Sequence, residues 1–218
     1  MSDDVSRETP PVPFAARGVF ADRLPLAERY VEWLAGAGTV RGLLGPREVP
    51  RLWERHVLNC APLGEAIRRD ATVADLGSGA GLPGLVLALA RPDLSVTLVE
   101  PLLRRTVFLQ EVVDDLGLAN VEVVRGRAEE LHGARTFDVV TSRALAPLGR
   151  LLGWSWPLVA PGGCVLALKG SSAEEEIAGS LKELRKHRIA AEAVEVVELG
   201  GSEGVPTVRA IRVVRSGR

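Results

Sequence analysis

From residue 72 onward, apolar positions fall into short runs separated by stretches with helical spacing. The runs at about 72–76, 95–99, 121–125, 137–141 and 163–168 are rich in valine and leucine and read as strands. Between them, about 82–91, 103–117, 146–159 and 173–188 carry apolar residues at helical intervals. Short apolar strands alternating with helices predict a parallel sheet covered on both faces. The last two runs, 192–198 and 205–215, are joined only by the glycine-rich GGSEGVP. No helical crossover fits there, so these two are expected to pair as an antiparallel hairpin. Upstream, residues 18–36 place Leu26, Tyr30, Val31, Trp33 and Leu34 on one helical face, and Gly36, Gly38 and Gly42 break the pattern. A second helix is expected from about Pro50 to Cys60, extending toward Ile67, with Pro46 and Pro50 at its entry. The organisation expected is a disordered tail over 1–17, a helical extension over 18–70, and an α/β domain over 71–218 that forms one unit with those helices.

The chain is organised around residues 73–84, VADLGSGAGLPG. Val73, Ala74 and Leu76 end a buried strand, Gly77, Gly79 and Gly81 alternate through a turn, and Pro83 suits the first turn of a helix. A glycine-rich strand–turn–helix alone serves several cofactors. Three details narrow it. Asp75 puts a carboxylate at the strand end, which repels a pyrophosphate and suits a ligand ammonium. Leu82 stands where the dinucleotide pattern has its third glycine. Glu100, at the end of the next strand, lies about 20 residues on, where an acid holds ribose hydroxyls. Together these describe a site for an adenosine bearing an amino-acid tail, S-adenosylmethionine. A mostly parallel sheet with a terminal hairpin fits the same conclusion, whereas a nicotinamide-binding domain normally ends on a parallel strand. The fold class expected is therefore α/β, a class I S-adenosylmethionine-dependent methyltransferase: Rossmann-like, with a seven-stranded, mostly parallel sheet.

Composition adds exclusions. The 218 residues are 46% hydrophobic, enough for one α/β domain with an extension. A net charge of −1 means that any nucleic-acid surface is a local patch. Cys60 and Cys164 are far apart, without metal-ligand or disulfide spacing, so no metal site is expected and the pair suits a reducing cytoplasm. The opening MSDDVSRETPPVP lacks a basic start and an apolar centre, unlike a signal peptide, and no apolar run reaches the roughly 18 residues of a membrane span.

Ligands of open α/β sheets sit at the carboxyl ends of the strands. That rule nominates Asp75 to Leu82, Glu100, the segment Gly126–Arg127–Ala128–Glu129, Ser142 and Arg143, and Lys169 and Gly170. Arg127, Arg143 and Lys169 would form a basic rim. In the extension, Arg47, Arg51 and Arg55 recur every four residues with His56 beside them. They make either a solvated helix face or an edge that meets phosphates. His56 is either an RNA contact or a structural histidine. Trp154 and Trp156 either stack a base or, as we favour, pack their helix on the sheet.

These residues resemble the bacterial small-subunit rRNA guanine-N7 methyltransferases, called RsmG or glucose-inhibited division protein B, over about residues 26–215. The resemblance rests on ERH at 54–56, DLGSGAGLPG at 75–84, Glu100, RRTVFL at 104–109, RAEE at 127–130, SRA at 142–144 and LKG at 168–170. Two departures, Trp33 followed by Leu-Ala-Gly-Ala-Gly and Asn59 in place of an aspartate, resemble the actinobacterial branch. The resemblance implies methylation of N7 of one guanine in 16S rRNA, as free RNA or within the 30S subunit. It also implies a cytoplasmic enzyme, expected to be a monomer, whose loss confers mild streptomycin resistance. It carries cofactor binding onto Gly77, Leu82, Ala128, Glu129 and Arg143, to which the motif and spacing add Asp75, Gly79 and Glu100. Arg51, Arg55, His56 and Lys169 are the candidate RNA contacts, and Arg143 and Arg127 the candidates at the reacting centre.

Guanine N7 carries a free lone pair at neutral pH and needs no general base. Strand four ends in TSRA, without the Asn/Asp-Pro-Pro-aromatic sequence that holds exocyclic amines, and no cysteine stands where a C5-pyrimidine enzyme places its nucleophile. Arg143 either bridges cofactor and RNA or buttresses its loop through Asp138 or Glu129. The alternatives are a methyltransferase for another RNA or a small molecule, an RNA-binding factor without turnover, and a nicotinamide reductase, the last disfavoured by Asp75 and the hairpin.

Overall fold

A computed structural model describes residues 9–217. Seven strands make one sheet: β1 (Thr72–Leu76), β2 (Ser95–Glu100), β3 (Val121–Arg125), β4 (Phe137–Arg143), β5 (Val159–Lys169), β6 (Val194–Leu199) and β7 (Val208–Val214). Their order is β3-β2-β1-β4-β5-β7-β6. The first five are parallel, and β7 runs antiparallel between β5 and β6. The expected terminal hairpin is therefore present, with its second strand inserted against β5. The order reverses between β1 and β4, which opens a crevice at their carboxyl ends.

The strands bury alternate residues in two cores. Val73, Val96, Leu98, Val139 and Leu166 face one core, which they share with α3 (Gly84–Ala90) and α4 (Leu103–Leu116). Ala74, Leu76, Val99, Val140, Val165 and Ala167 face the other, under α5 (Leu148–Ser155), α6 (Ala173–Gly179) and α7 (Leu181–Lys186). Burial of both faces explains why the strands read as continuous apolar runs.

The helical extension joins the first core rather than making its own. Tyr30, Val31 and Leu34, on and just beyond α2 (Leu24–Trp33), are buried with Leu52, Val57, Leu58 and Leu63. Trp33 meets Phe108 of α4 edge-on at 5.9 Å, and its indole N–H donates to Asp115 at 2.7 Å. The Tyr30 hydroxyl donates to the carbonyl of Ala80 at 2.9 Å, which fixes α2 on the back of the glycine loop.

Two expectations change. The segment expected as a tail over 1–17 contains the start of α1 (Phe14–Phe20), which buries Ala15, Ala16 and Phe20; residues 1–8 lie outside the described residues. The proline and charge of the first residues mask this short apolar stretch in the sequence. The helix expected from Pro50 to Cys60 is instead a 3-10 segment (Pro46–Arg51), a π-helical turn (Leu52–Val57) and a second 3-10 segment (Ala61–Ala66). Pro50 lacks the N–H that a regular helix needs, and the wider π turn buries Leu52, Trp53, His56 and Val57 together. That turn sends His56 inward while Arg51 and Arg55 remain exposed.

Candidate functional site

The glycine loop leaves β1 at Gly77, and Gly77, Gly79 and Gly81 all have positive φ, at 68°, 59° and 98°. The amide of Gly77 donates to the Val99 carbonyl at 2.8 Å, and the Ser78 hydroxyl donates back to the Asp75 carbonyl at 2.9 Å. These bonds draw the loop across the end of β2. Glu100 lies within this frame, 1% exposed. Its Oε2 accepts from the Gly79 amide at 3.1 Å and its Oε1 from the Leu102 amide at 3.0 Å, with Arg105 at 3.5 Å. Each carboxylate oxygen has two lone pairs, so acceptor capacity remains for a ligand hydroxyl.

Asp75 lies deeper than the sequence implied. It is sealed beneath the loop, and its Oδ2 accepts the Gly84 amide at 3.0 Å, so it tethers the start of α3. Its Oδ1 is buried without a hydrogen-bond partner. Burial pushes the carboxyl up to about 7, against the pull of the Gly84 amide, Ser78 and Arg143. The unfolded carboxyl ionises near 4, so Asp75 favours the folded state fully below about pH 4, and that contribution is lost as pH rises through about 7. Between pH 5 and pH 8 the wild type is therefore expected to lose on the order of 2 kcal/mol that an Asp75→Asn protein keeps. Urea unfolding of both proteins at the two pH values checks this; parallel pH dependence would refute it.

Two cavities open at this end of the sheet. One, about 220 Å³, is lined by Leu76, Gly77, Val99, Arg127, Ala128 and Trp154, among others. It has the size and apolar lining of a base pocket, with the exposed Glu129 at its rim. Trp154 is a wall of this pocket as well as a packing residue. The second is a cleft of about 990 Å³ that includes Arg55, His56, Arg143, Lys169 and Arg209. Leu145 borders both. Ala144 holds a φ of 51°, unusual for a residue with a side chain, and the turn lays Leu145 over Gly77. A Cβ at Gly77 would stand 2.5 Å from Leu145 Cδ1, so only glycine permits this approach.

The expected basic rim is divided. Arg127 belongs to the smaller pocket, Arg143 and Lys169 to the cleft. Lys169 is no free cation for phosphate: it pairs with Glu176 at 2.7 Å and donates to the Ala146 carbonyl at 2.8 Å. Glu176 also accepts the Leu148 amide at 2.9 Å, so the lysine closes the base of α5. Arg143 touches neither Asp138, which pairs with Arg68, nor Glu129. Instead, its Nη2 donates to His56 Nδ1 at 2.8 Å, and its Nη1 reaches the Arg55 carbonyl at 3.5 Å and Cys60 Sγ at 3.8 Å. Leu82 packs in the first core. Tyr30, Glu48, Leu145 and Glu176 also shape the site, and no motif in the sequence marks them for it. The spacing of Glu48 and His56 carried a signal only once the π turn was known.

Cys60 comes beside Arg143 although nothing in its spacing suggested it. Complete burial pushes its thiol up to about 12, so it stays protonated and is no nucleophile. Among the described residues, no group of three or more His, Cys, Asp or Glu side chains could hold a metal ion, and no helix is long and apolar enough to cross a membrane.

The three positive-φ glycines, the Glu100 carboxylate beside them and the adjoining apolar pocket fit an adenosine with an amino-acid tail. Comparison with known proteins agrees. The family described as "GidB: rRNA small subunit methyltransferase G" matches residues 23–203. "Ribosomal RNA small subunit methyltransferase G" of Nocardioides sp. is 66% identical over 98% of this chain and 85% of its own length. The protein of that name from Thermobifida fusca is 56% identical over 91% of this chain and 83% of its own. Among solved structures, a SAM dependent methyltransferase from Aquifex aeolicus aligns with a TM-score of 0.52 at 20% identity, over 76% of this chain and 93% of that one. An O-methyltransferase family protein from Burkholderia thailandensis aligns at 0.54 and 16%, over 92% and 64%. At such identities the structures speak to the fold, a class I methyltransferase sheet, and the sequence relatives speak to the family.

Proposed function

The chain belongs to the rRNA small subunit methyltransferase G family, and from that premise we propose that it methylates N7 of one guanine in 16S rRNA. The single observation that carries the reading is the family match across most of the chain, in a site with a cofactor-sized pocket beside a larger cleft. S-adenosylmethionine, when bound, supplies an electrophilic methyl group on sulfur. Gly77, Gly79, Glu100, Ala128 and Glu129 are the residues that would hold it, with Asp75 supporting the loop from beneath. Glu100 would accept the ribose hydroxyls, and the Ala128–Glu129 segment would border the adenine.

The protein's own contribution is alignment, because N7 needs no proton removed and an in-line displacement needs the nucleophile about 3 Å from the methyl carbon. Arg143 uses three of its five N–H groups on His56, Cys60 and the Arg55 carbonyl. The two that remain suit guanine O6 or a phosphate. A bidentate grip on O6 and N7 would block the attacking lone pair. Leu145, which borders both cavities, forms an apolar partition between them. Exposed Arg55 in the lining of the cleft, exposed Arg51 four residues before it, and Arg127 at the smaller pocket are available to neutralise phosphates. The same reading makes the substrate 16S rRNA or the 30S subunit and places the enzyme in the cytoplasm with it.

The deciding experiment transfers labelled methyl from S-adenosylmethionine to 30S subunits of a strain lacking this protein. The expected product is 7-methylguanosine at one position. Label in another nucleoside, or none in either 30S subunits or free 16S rRNA, would move the assignment to a different acceptor.

A further inference from the structure

His56 is buried and lies between a cation and an anion. Its Nδ1 is 2.8 Å from Arg143 Nη2, and its Nε2 is 2.7 Å from Glu48 Oε2. A guanidinium only donates, so Nδ1 must be an unprotonated acceptor. Nε2 must then carry the hydrogen and donate to Glu48. Only one neutral tautomer satisfies both bonds. Among the described residues, the charged groups acting on the imidazole are Glu48, Arg55, which lies on its own turn and pairs with Glu48 at 3.4 Å, and Arg143 from the end of β4.

We propose that Glu48 and His56 are positioning residues for methyl transfer: Glu48 fixes the tautomer of His56, and His56 Nδ1 aims the Arg143 guanidinium into the cleft. The proposal rests on the reading of that cleft as the RNA site, and it assigns His56 an action through Arg143 in place of direct RNA contact. A planar guanidinium with one edge held by His56, Cys60 and the Arg55 carbonyl presents its other edge in a fixed direction. Without Nδ1 as acceptor, that edge swings on a long, flexible side chain.

The arrangement also has a built-in response to acid. A proton added to Nδ1 turns the acceptor into a donor facing another donor, and two positive charges then sit side by side. Burial and Arg143 both hold the imidazole below its ordinary range, against the upward pull of Glu48. The neutral form therefore persists at physiological pH, and the Arg143 contact is lost only as pH falls below that range.

Three measurements test the proposal. Nitrogen-15 NMR of the wild type, with His132 and His187 removed by substitution to resolve the signal, should show neutral His56 protonated on Nε2 at pH 7.5. The opposite tautomer, or an imidazolium, would overturn the relay whatever the enzyme's substrate. His56→Asn places an amide oxygen near the Nδ1 position, and His56→Gln places its amide near Nε2 and leaves Nδ1 vacant. The Asn variant should keep methyl transfer to 30S subunits within a few-fold and lose the acid limb of the pH–rate profile. The Gln variant should fall about tenfold in turnover, the scale of one hydrogen bond to a charged group. Glu48→Gln should move the acid limb to lower pH, since it removes the anion that favours imidazolium. Equal activity of the Asn and Gln variants, or an acid limb unchanged in the Asn variant, would overturn the positioning role. An inactive wild type would count against the RNA reading alone, because the tautomer measurement decides the relay independently.

Discussion

An Arg143→Ala protein is expected to methylate its RNA about a hundredfold more slowly than wild type, with the loss in turnover and not in folding. Arg143 is half-buried where three surfaces meet: the end of β4, the π turn that carries His56, and the wall of the cleft. Its remaining donors are preorganised, so they hold the guanine in line without reorienting during the reaction. A nucleophile misplaced by about 1 Å costs on the order of a hundredfold. Arg143→Lys should recover little, because an ammonium has no planar edge to divide between His56 and the cleft. Single-turnover kinetics with 30S subunits, beside calorimetric titration of the cofactor, separates the possibilities. A normal rate in the alanine variant removes Arg143 from the mechanism. A normal rate of chemistry with weakened cofactor binding would assign the residue to the cofactor alone.

Gly84→Ala should destabilise the fold by about 3 kcal/mol, near the upper end for overpacking a rigid core, which corresponds to a fall of roughly 9 °C in Tm for a chain of this size. A Cβ there would lie 2.4 Å from Leu98 Cδ2, 2.8 Å from Asp75 Oδ2 and 2.9 Å from Asp75 Cβ. Neither neighbour can retreat: Leu98 is fully buried in β2, and Asp75 is held by the Gly84 amide itself. Gly153 in α5 is the control, because nothing lies within 4 Å of its Cβ position. Alanine there should be neutral or stabilise by about 0.5–1 kcal/mol, since glycine costs that much in a helix. Thermal and urea unfolding of the two variants checks both; equal stability would mean that α3 can lift from β1 at little cost.

The sheet was legible because its information is local. Five valine- and leucine-rich runs and a connection too short for a crossover determine the strands and the antiparallel ending, and the glycines of 77–81 mark the turn directly. The site was legible only where a residue type implies a backbone need. Periodicity reports which residues are buried, not which distant polar group they meet. Lys169 looked like a free cation because Glu176, seven positions on, has its own helical context, and the ion pair depends on how α6 returns to β5. Asp75 looked like an open ligand because the depth of the crevice is set by α3 and the Tyr30–Ala80 bond. His56 stays open in sequence between RNA contact and structural histidine, because the winding that Pro50 enforces is what turns it inward.

The partners of Arg143 in the extension lie 83 to 88 positions earlier in the chain. A chain made from its amino end must therefore grow 87 residues past His56 to reach the arginine that completes the cleft. Until then Glu48 and His56 have each other but no guanidinium to hold. The nascent protein spends that interval beside ribosomal RNA, the kind of molecule it will later modify, without an assembled place to grip it.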